Sequence, residues 1–456
     1  MKKLVVLLTV MAFISCKKEV KEQEYVIING TVQNSDAETA MIRGFDMEFE
    51  IPISEAGTFS DTLDVKTDGI YTLRIGREGT STYLRKGKNL SVSVDVVQFD
   101  ETIKYEGDVA AENNYLAAKY LLSEQEKPFQ DVYAMEEAAF IAEANAINQT
   151  YQDLLAKTEG LSEDFIALET KNLAYTHTMN LENYLGYHRH FTSNDAFEVS
   201  EGYYAFTKNV NYADTTAFRN SITYQNMLET HFSRMVSEMA TSDPDLNRTK
   251  AYLNLVNERL PNGYAKDELM YDYLRYGLTP DASMEEVYQV YKNSNPNAEN
   301  LKKVTARYSL LKPLLAGNPS PTFDYENYKG GSTKLDDFKG KYVYVDVWAT
   351  WCGPCIREIP ALKQVEKDYH GKNIVFVSLS IDEAKDYDKW KNMIAEKELG
   401  GVQLMADKNW ESKFVKDYGI LGIPRFILID PQGNIVSADA PRPSDAKLRV
   451  LLDKLI

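Results

Sequence analysis

Tyr342-Val-Tyr-Val-Asp-Val-Trp-Ala-Thr-Trp-Cys-Gly-Pro-Cys355 is the stretch that decides the fold of the C-terminal third. Tyr342 to Trp348 is rich in β-branched and aromatic residues and reads as a strand. Pro354 suits the first turn of a helix, and Gly353 lets the connecting loop turn tightly, so the strand hands over to a helix at the two cysteines. That position has a chemical consequence. A thiolate at a helix N-terminus is stabilised by unpaired amide N–H groups and by the helix dipole. Cys352 is therefore expected to be an exposed nucleophile that attacks a substrate disulfide. Cys355, three residues on and about one turn inward, then attacks the mixed disulfide and releases the reduced product.

Downstream of the motif, strand-like and helix-like runs alternate. Ile374–Ile381, Phe426–Asp430 and Asn434–Ser437 read as strands, and Cys355–Tyr369, Tyr387–Glu398 and Ser444–Leu455 as helices, giving an α/β domain. It begins after Ala316-Gly-Asn-Pro-Ser-Pro321, which cannot continue a helix, and is expected to span 317–456. Residues 108–316 have helical periodicity. Phe140, Ala144, Ile147, Tyr151, Leu154 and Leu155 mark one buried face, and Ser283 and Glu286 form a capping box. Breaks at Asp243-Pro244, Leu260–Gly263 and Thr279–Asp281 separate the helices, so this is an all-α region. Its tyrosines read as core residues with polar tips, or as the lining of a peptide groove. Residues 25–107 alternate with period two at Tyr71, Leu73 and Ile75 and again at Leu90, Val92, Val94 and Val96. Glycines punctuate these runs, and an antiparallel β-sandwich is predicted.

The chain starts with Lys2 and Lys3, followed by an apolar run from Leu4 to Ile14, too short for a permanent membrane helix but suited to a signal peptide over 1–16. Residues 17–24 are charged and read as a tether. Net charge is −17 over 456 residues. Residues 317–456 carry 20 Lys+Arg against 21 Asp+Glu, net −1, and residues 1–316 carry 31 against 47, net −16. Such an acidic body disfavours nucleic acid and leaves proteins and small molecules as partners. The three cysteines are Cys16, Cys352 and Cys355. A pair two residues apart closes a trivial loop and stabilises little, which points to reactivity. Tetrahedral zinc needs two further ligands, and neither a second Cys pair nor a His pair is at hand, so no metal is expected. A one-cysteine peroxidase is a rival, but it needs a proline and threonine ahead of the cysteine. Here Thr350 lies two residues before Cys352, and no proline falls between Pro321 and the motif.

Residues 317–456 resemble the TlpA/ResA-like thioredoxins, membrane-tethered thiol-disulfide oxidoreductases of the bacterial envelope. The likeness is carried by Gly317–Phe323, Gly340–Cys355, Tyr418-Gly-Ile-Leu-Gly-Ile-Pro-Arg-Phe426 and Asp430-Pro-Gln-Gly-Asn434. It implies a thioredoxin-like fold in which Pro424 is a cis-proline beside the cysteines and Ile423 offers its backbone to a substrate strand. Asp346 matches the family's buried acid; strand alternation puts it on one face with Trp348, and burial would fit it to take the proton of Cys355. Glu383 falls where some members carry a second active-site glutamate, a match that Asp382 makes equally well. Trp351, Gly353 and Pro354 would flank a bound substrate. Phe13-Ile-Ser-Cys16 looks like a lipobox, which implies lipidation at Cys16 and a periplasm-facing membrane lipoprotein. Cys-Gly-Pro-Cys resembles the reducing thioredoxins, near ~−270 mV. The implied function is reduction of disulfides in exported proteins, kept going by a membrane thiol donor and without a cofactor. The alternatives are a thiol peroxidase, or a partner-binding protein with a subsidiary redox domain.

Overall fold

The computed structural model describes residues 24–456 except residues 46 and 244. The signal-peptide, lipidation and most of the tether expectations, over 1–23, lie outside the described residues. The chain divides into two compact units, Met1–His231 and Phe232–Ile456.

The first unit opens with eight strands: β1 (Val26–Gln33), β2 (Thr39–Gly44), β3 (Met47–Pro52), β4 (Thr58–Leu63), β5 (Gly69–Ile75), β6 (Glu78–Leu84), β7 (Asn89–Asp95) and β8 (Lys104–Gly107). They form two four-stranded sheets, β4-β1-β7-β8 and β3-β2-β5-β6. The sheets are not wholly antiparallel, as the sequence suggested, because β1 runs parallel to β7. Parallel neighbours need a long crossover, and the hairpins of the second sheet lie between β1 and β7 in the chain. Period-two alternation turns Val26, Ile28 and Val32 of β1 and Tyr71, Leu73 and Ile75 of β5 into one shared core. Helices α1 (Ala110–Ser123), α2 (Glu137–Lys157) and α3 (Glu163–Thr192) follow. Tyr115, Leu116, Leu155, Phe165 and Leu173 join that same core, while Phe140 stacks on Tyr184 at 4.1 Å in a second cluster.

Helix α4 (Ile222–Ser242) carries the chain into the second unit, which continues with α5 (Arg248–Arg259), α6 (Tyr264–Gly277), α7 (Met284–Asn293) and α8 (Ala298–Leu311). The expected capping box at α7 does not form. Ser283 has near-helical backbone angles, and its hydroxyl donates to Asp281 at 2.6 Å and accepts from Asn247 at 2.7 Å instead of capping the helix. The Ala316–Pro321 stretch also does more than link. The N–H groups of Gly317 and Ser320 donate to the carbonyls of Ile435 and Gly433, and Ile435 N–H donates to Asn318. Arg307 of α8 reaches the Gly419 carbonyl at 3.2 Å. These contacts group the last helices with the α/β domain.

That domain is a seven-stranded sheet of order β10-β9-β13-β12-β11-β14-β15. Its strands are β9 (Asp324–Asn327), β10 (Ser332–Lys334), β11 (Tyr342–Trp348), β12 (Ile374–Ser380), β13 (Val402–Met405), β14 (Arg425–Ile429) and β15 (Ile435–Ser437). Central β11 pairs parallel with β12 and antiparallel with β14. Its near-continuous apolar run is what a strand covered on both faces requires. Helices α9 (Gly353–Asp368), α10 (Tyr387–Glu396) and α11 (Ala446–Leu455) pack on the sheet. Leu362 and Val365 of α9 meet Tyr344, Phe426 and Leu428 in one core with Leu448 and Leu452 of α11.

The first unit's core offers a test of its packing. Gly30 of β1 stands opposite Phe59 of β4, and a Cβ added there would lie 2.3 Å from the Phe59 ring and 2.8 Å from Val92. Gly30→Ala is therefore expected to cost about 1–3 kcal/mol in denaturant unfolding. An unchanged midpoint would mean that the Phe59 ring, Val92 and the strand shift freely.

Candidate active site

The cysteine pair sits at the C-terminal end of β11. Cys352 takes extended angles (φ −85°, ψ 96°) and is the N-cap of α9, its sulfur accepting from the Cys355 N–H at 3.2 Å. Gly353 and Pro354 form the first helical residues, where the missing proline N–H costs nothing. Cys352 and Cys355 form a disulfide with Cα atoms 5.3 Å apart. Both are only 4% exposed. The expectation that Cys352 is open to solvent does not hold in this oxidised form, because its sulfur is drawn onto the helix end by its bond to Cys355 and by that N–H. Exposure belongs instead to Trp351, at 49%, and to Gly353 and Pro354.

Beneath the pair lies Asp346. Alternation along β11 puts Tyr344, Asp346 and Trp348 on the face covered by α9. A cavity of about 10 Å³ there is lined by Asp346, Trp348, Cys355, Leu362, Glu366 and Gln403, among others. Among the described residues nothing donates a hydrogen bond to the Asp346 carboxyl. Burial pushes its pKa up to about 8, and the neighbouring Glu358 and Glu366 carboxylates add to the rise. Glu366 is itself pushed up to about 7 by burial, with Lys363 opposing. Glu358, one turn beyond Cys355, accepts from the Ser444 N–H at 3.0 Å and hydroxyl at 2.8 Å.

The loop ahead of Cys352 is held by a different acid. Asp382 is buried and accepts from Thr350 N–H at 3.0 and 3.1 Å, from the Thr350 hydroxyl at 2.7 Å and from the Ser380 hydroxyl at 2.7 Å. Glu383, next in the chain, turns the other way: it is 52% exposed and pairs with Lys385 at 2.8 Å. It does not line the cavity under Cys355. The two neighbours thus divide, one bracing the cysteine loop and the other facing solvent. Thr350, wholly engaged by Asp382, has no hydroxyl proton left for a peroxide.

The Ile423–Pro424 peptide bond is cis. Val347 of β11 stands opposite Arg425 of β14, so one further step of the ladder sets Pro424 against Trp348, at the end of β11 where the cysteine loop begins. Two participants were absent from the sequence reading. Trp410 lies 6.3 Å from Trp351, ring to ring, and nothing in the sequence ties residues so far apart. Glu366 was findable, because it follows Cys355 by eleven residues, three helical turns along one face.

Comparison with known proteins points to thiol-disulfide oxidoreductases. The Redoxin family model matches residues 315–451. The thiol-disulfide oxidoreductase ResA of Bacillus cereus is 30% identical over 148 residues, 32% of this chain and 83% of the relative. The chain belongs to the ResA-like thiol-disulfide oxidoreductases. The thioredoxin-like protein YneN of Bacillus subtilis is 29% identical over 26% of this chain and 68% of its own length. Among solved structures, the thioredoxin domain of a Bacteroides vulgatus thiol-disulfide oxidoreductase is 32% identical, with a TM-score of 0.29, over 31% of this chain and 97% of that one. Each of these likenesses covers about a third of the chain or less.

Two outcomes follow from the acids. The folded pKa of Asp346 stands far above its value of 3.8 in an unfolded chain. Between the two, the native state keeps a proton that the unfolded state has released, so stability is full below about pH 4 and lost as pH rises through about 8. Asp346→Asn is expected to remove this loss and to unfold later than the parent at pH 8, by about 2–5 kcal/mol; equal stability at pH 8 would contradict the burial. Asp382→Ala leaves the Thr350 N–H and hydroxyl unpaired and is expected to cost about 1–3 kcal/mol. Its reduced form should also react more slowly at Cys352 with a small disulfide, and an unchanged rate would mean that the loop holds without its brace.

Proposed function

We propose that this chain reduces disulfides in exported proteins, with Cys352 as the attacking thiol and Cys355 as the resolving one. The observation that carries the reading is a dithiol pair at a helix N-terminus with a proton-accepting carboxyl in the cavity below it. A reduced Cys352 thiolate attacks a substrate sulfur, and one substrate thiol leaves. Cys355 gives its proton to the Asp346 carboxylate, its sulfur bonds to that of Cys352, and the second substrate thiol departs. Two electrons pass to the substrate and the Cys352–Cys355 disulfide remains, to be reduced again by a membrane thiol donor. Trp351, Gly353, Pro354 and the Ile423–Pro424 segment would receive the substrate strand, with the exposed Trp351 ring as apolar contact.

The same reading extends to the rest of the chain. No described helix is long and apolar enough to cross a membrane. The basic and apolar start ending in Cys16 supports a lipid anchor and an envelope location. The two N-terminal sheets are read as a sandwich which, with the helices, presents the redox domain to partners. Glu383, exposed and ion-paired, supports a contact with substrate better than a proton transfer.

The full-length Cys355→Ser variant tests this account. It is expected to accumulate covalent mixed disulfides on Cys352 with exported cysteine proteins, released by reductant and seen by mass spectrometry. A potential for the Cys352–Cys355 couple below about −180 mV against glutathione is the companion expectation. A higher potential would reverse the proposed direction of electron flow, and a variant that traps nothing would remove the exchange itself.

A further inference from the structure

Asp346 has to exchange a proton with solvent once in every cycle, and it is only partly exposed, lining with Cys355 a small cavity under α9. The 10 Å³ cavity it shares with Cys355 is about the volume that one water centre occupies. Two buried polar atoms without a partner, Trp348 Nε1 and Gln403 Oε1, belong to side chains that line it. A donor and an acceptor left unpaired around a cavity of this size fit an ordered water.

Adjoining that cavity is an open cleft of about 540 Å³. Lys363, Glu366 and Gly400 line both spaces. Of these three, Glu366 is the one that can both take and give a proton at neutral pH. Lys363 is tied through its ammonium to the Lys397 carbonyl at 2.9 Å, and Gly400 has no side chain. The Glu366 carboxyl is held against Gly400 and Gly401 so closely that a Cβ on Gly400 would fall 2.2 Å from its Oε2. A glycine at 400 therefore leaves the room this carboxyl occupies.

We propose that Glu366 is a positioning residue that relays the proton of Asp346, through one water in the cavity, to the cleft and so to solvent. The proposal rests on Asp346 serving as the base for Cys355. Cys355 S–H gives its proton to the Asp346 carboxylate, and the sulfur's electron pair forms the S–S bond to Cys352. The Cys352–substrate bond breaks, and the leaving sulfur takes a proton from solvent. The proton on Asp346 passes to the water, the water passes one of its own to Glu366, and Glu366 releases it in the cleft. Burial raises both carboxyls into the neutral range, so neither hop runs steeply uphill. The carboxyl, ammonium and imidazole groups that line these two spaces with Glu366 are Lys363 and Lys367 of its own helix, Asp346 of β11, and His370 and Glu398 at the cleft; the β12 residues among the lining are not titratable.

The test uses the full-length reduced protein, with oxidised glutathione as the disulfide. Acid quenching and mass spectrometry follow the glutathione-bound intermediate as Cys355 resolves it. At pH 7, Glu366→Gln is expected to slow resolution about tenfold. The rate should then climb with added imidazole, a small proton carrier that can enter the cleft, while the parent is indifferent to it. Gly400→Ala, which keeps the charge but displaces the carboxyl, should behave alike. A purely electrostatic neighbour predicts the opposite sign, because removing a negative charge beside Asp346 lets it ionise more readily and speeds resolution. Acceleration, or an unchanged rate without imidazole dependence, overturns the relay. Asp346→Asn separates the two levels. If it resolves at the parental rate, the base assignment fails and the relay with it. If it is slow while Glu366→Gln is not, the relay alone fails. In the Asp346→Asn background, Glu366→Gln should add nothing.

Discussion

A carboxyl group drawn largely out of water without a hydrogen-bond donor is costly, and Asp346 of the second unit is such a group. Asp346 stands in the middle of β11, the strand with partners on both sides, on the face that α9 covers. Burial favours the neutral form of an acid so placed, which acts as a base once its proton has been carried away. The same strand ends at the cysteine loop, which Asp382 braces through Thr350, so a few residues of held backbone join acid and sulfur. Sites built on such elements hold their geometry better than sites on loops.

Around this axis the other acids have separate duties, decided by what surrounds each. Asp382 gathers four hydrogen bonds from Thr350 and Ser380 and works as a brace. Glu358 is tied to Ser444 at the start of the last helical segment. Glu366 has no such anchor and is only wedged over two glycines. Glu383 is in solvent. One functional group, the carboxyl, in four environments yields bracing, docking, a titratable group near neutrality and a surface charge.

Much of the α/β domain was legible in the sequence, because its central strand and motif are written in consecutive residues. The run 342–348, the Cys-Gly-Pro-Cys turn and the helix after it needed only local rules. Strands β9, β10 and β13 were not seen: they are three or four residues long, and β13 (Val-Gln-Leu-Met) has too little periodicity to register. The choice between Asp382 and Glu383 was open for a similar reason, since adjacent residues differ only in which way the backbone turns them. The parallel pairing of β1 with β7 lay beyond local pattern, because it joins segments some sixty residues apart. Trp410 beside Trp351 is the same kind of long-range fact.

Thiol-disulfide exchange at this site depends on the reduced Cys352 being an anion that reacts at neutral pH while Cys355 waits as a thiol. Timed alkylation of the reduced protein with iodoacetamide at pH 7, read by peptide mapping, measures this directly. Cys352 should be modified well ahead of Cys355 and faster than free cysteine under the same conditions. Modification of both at the pace of free cysteine, or of Cys355 first, would contradict it.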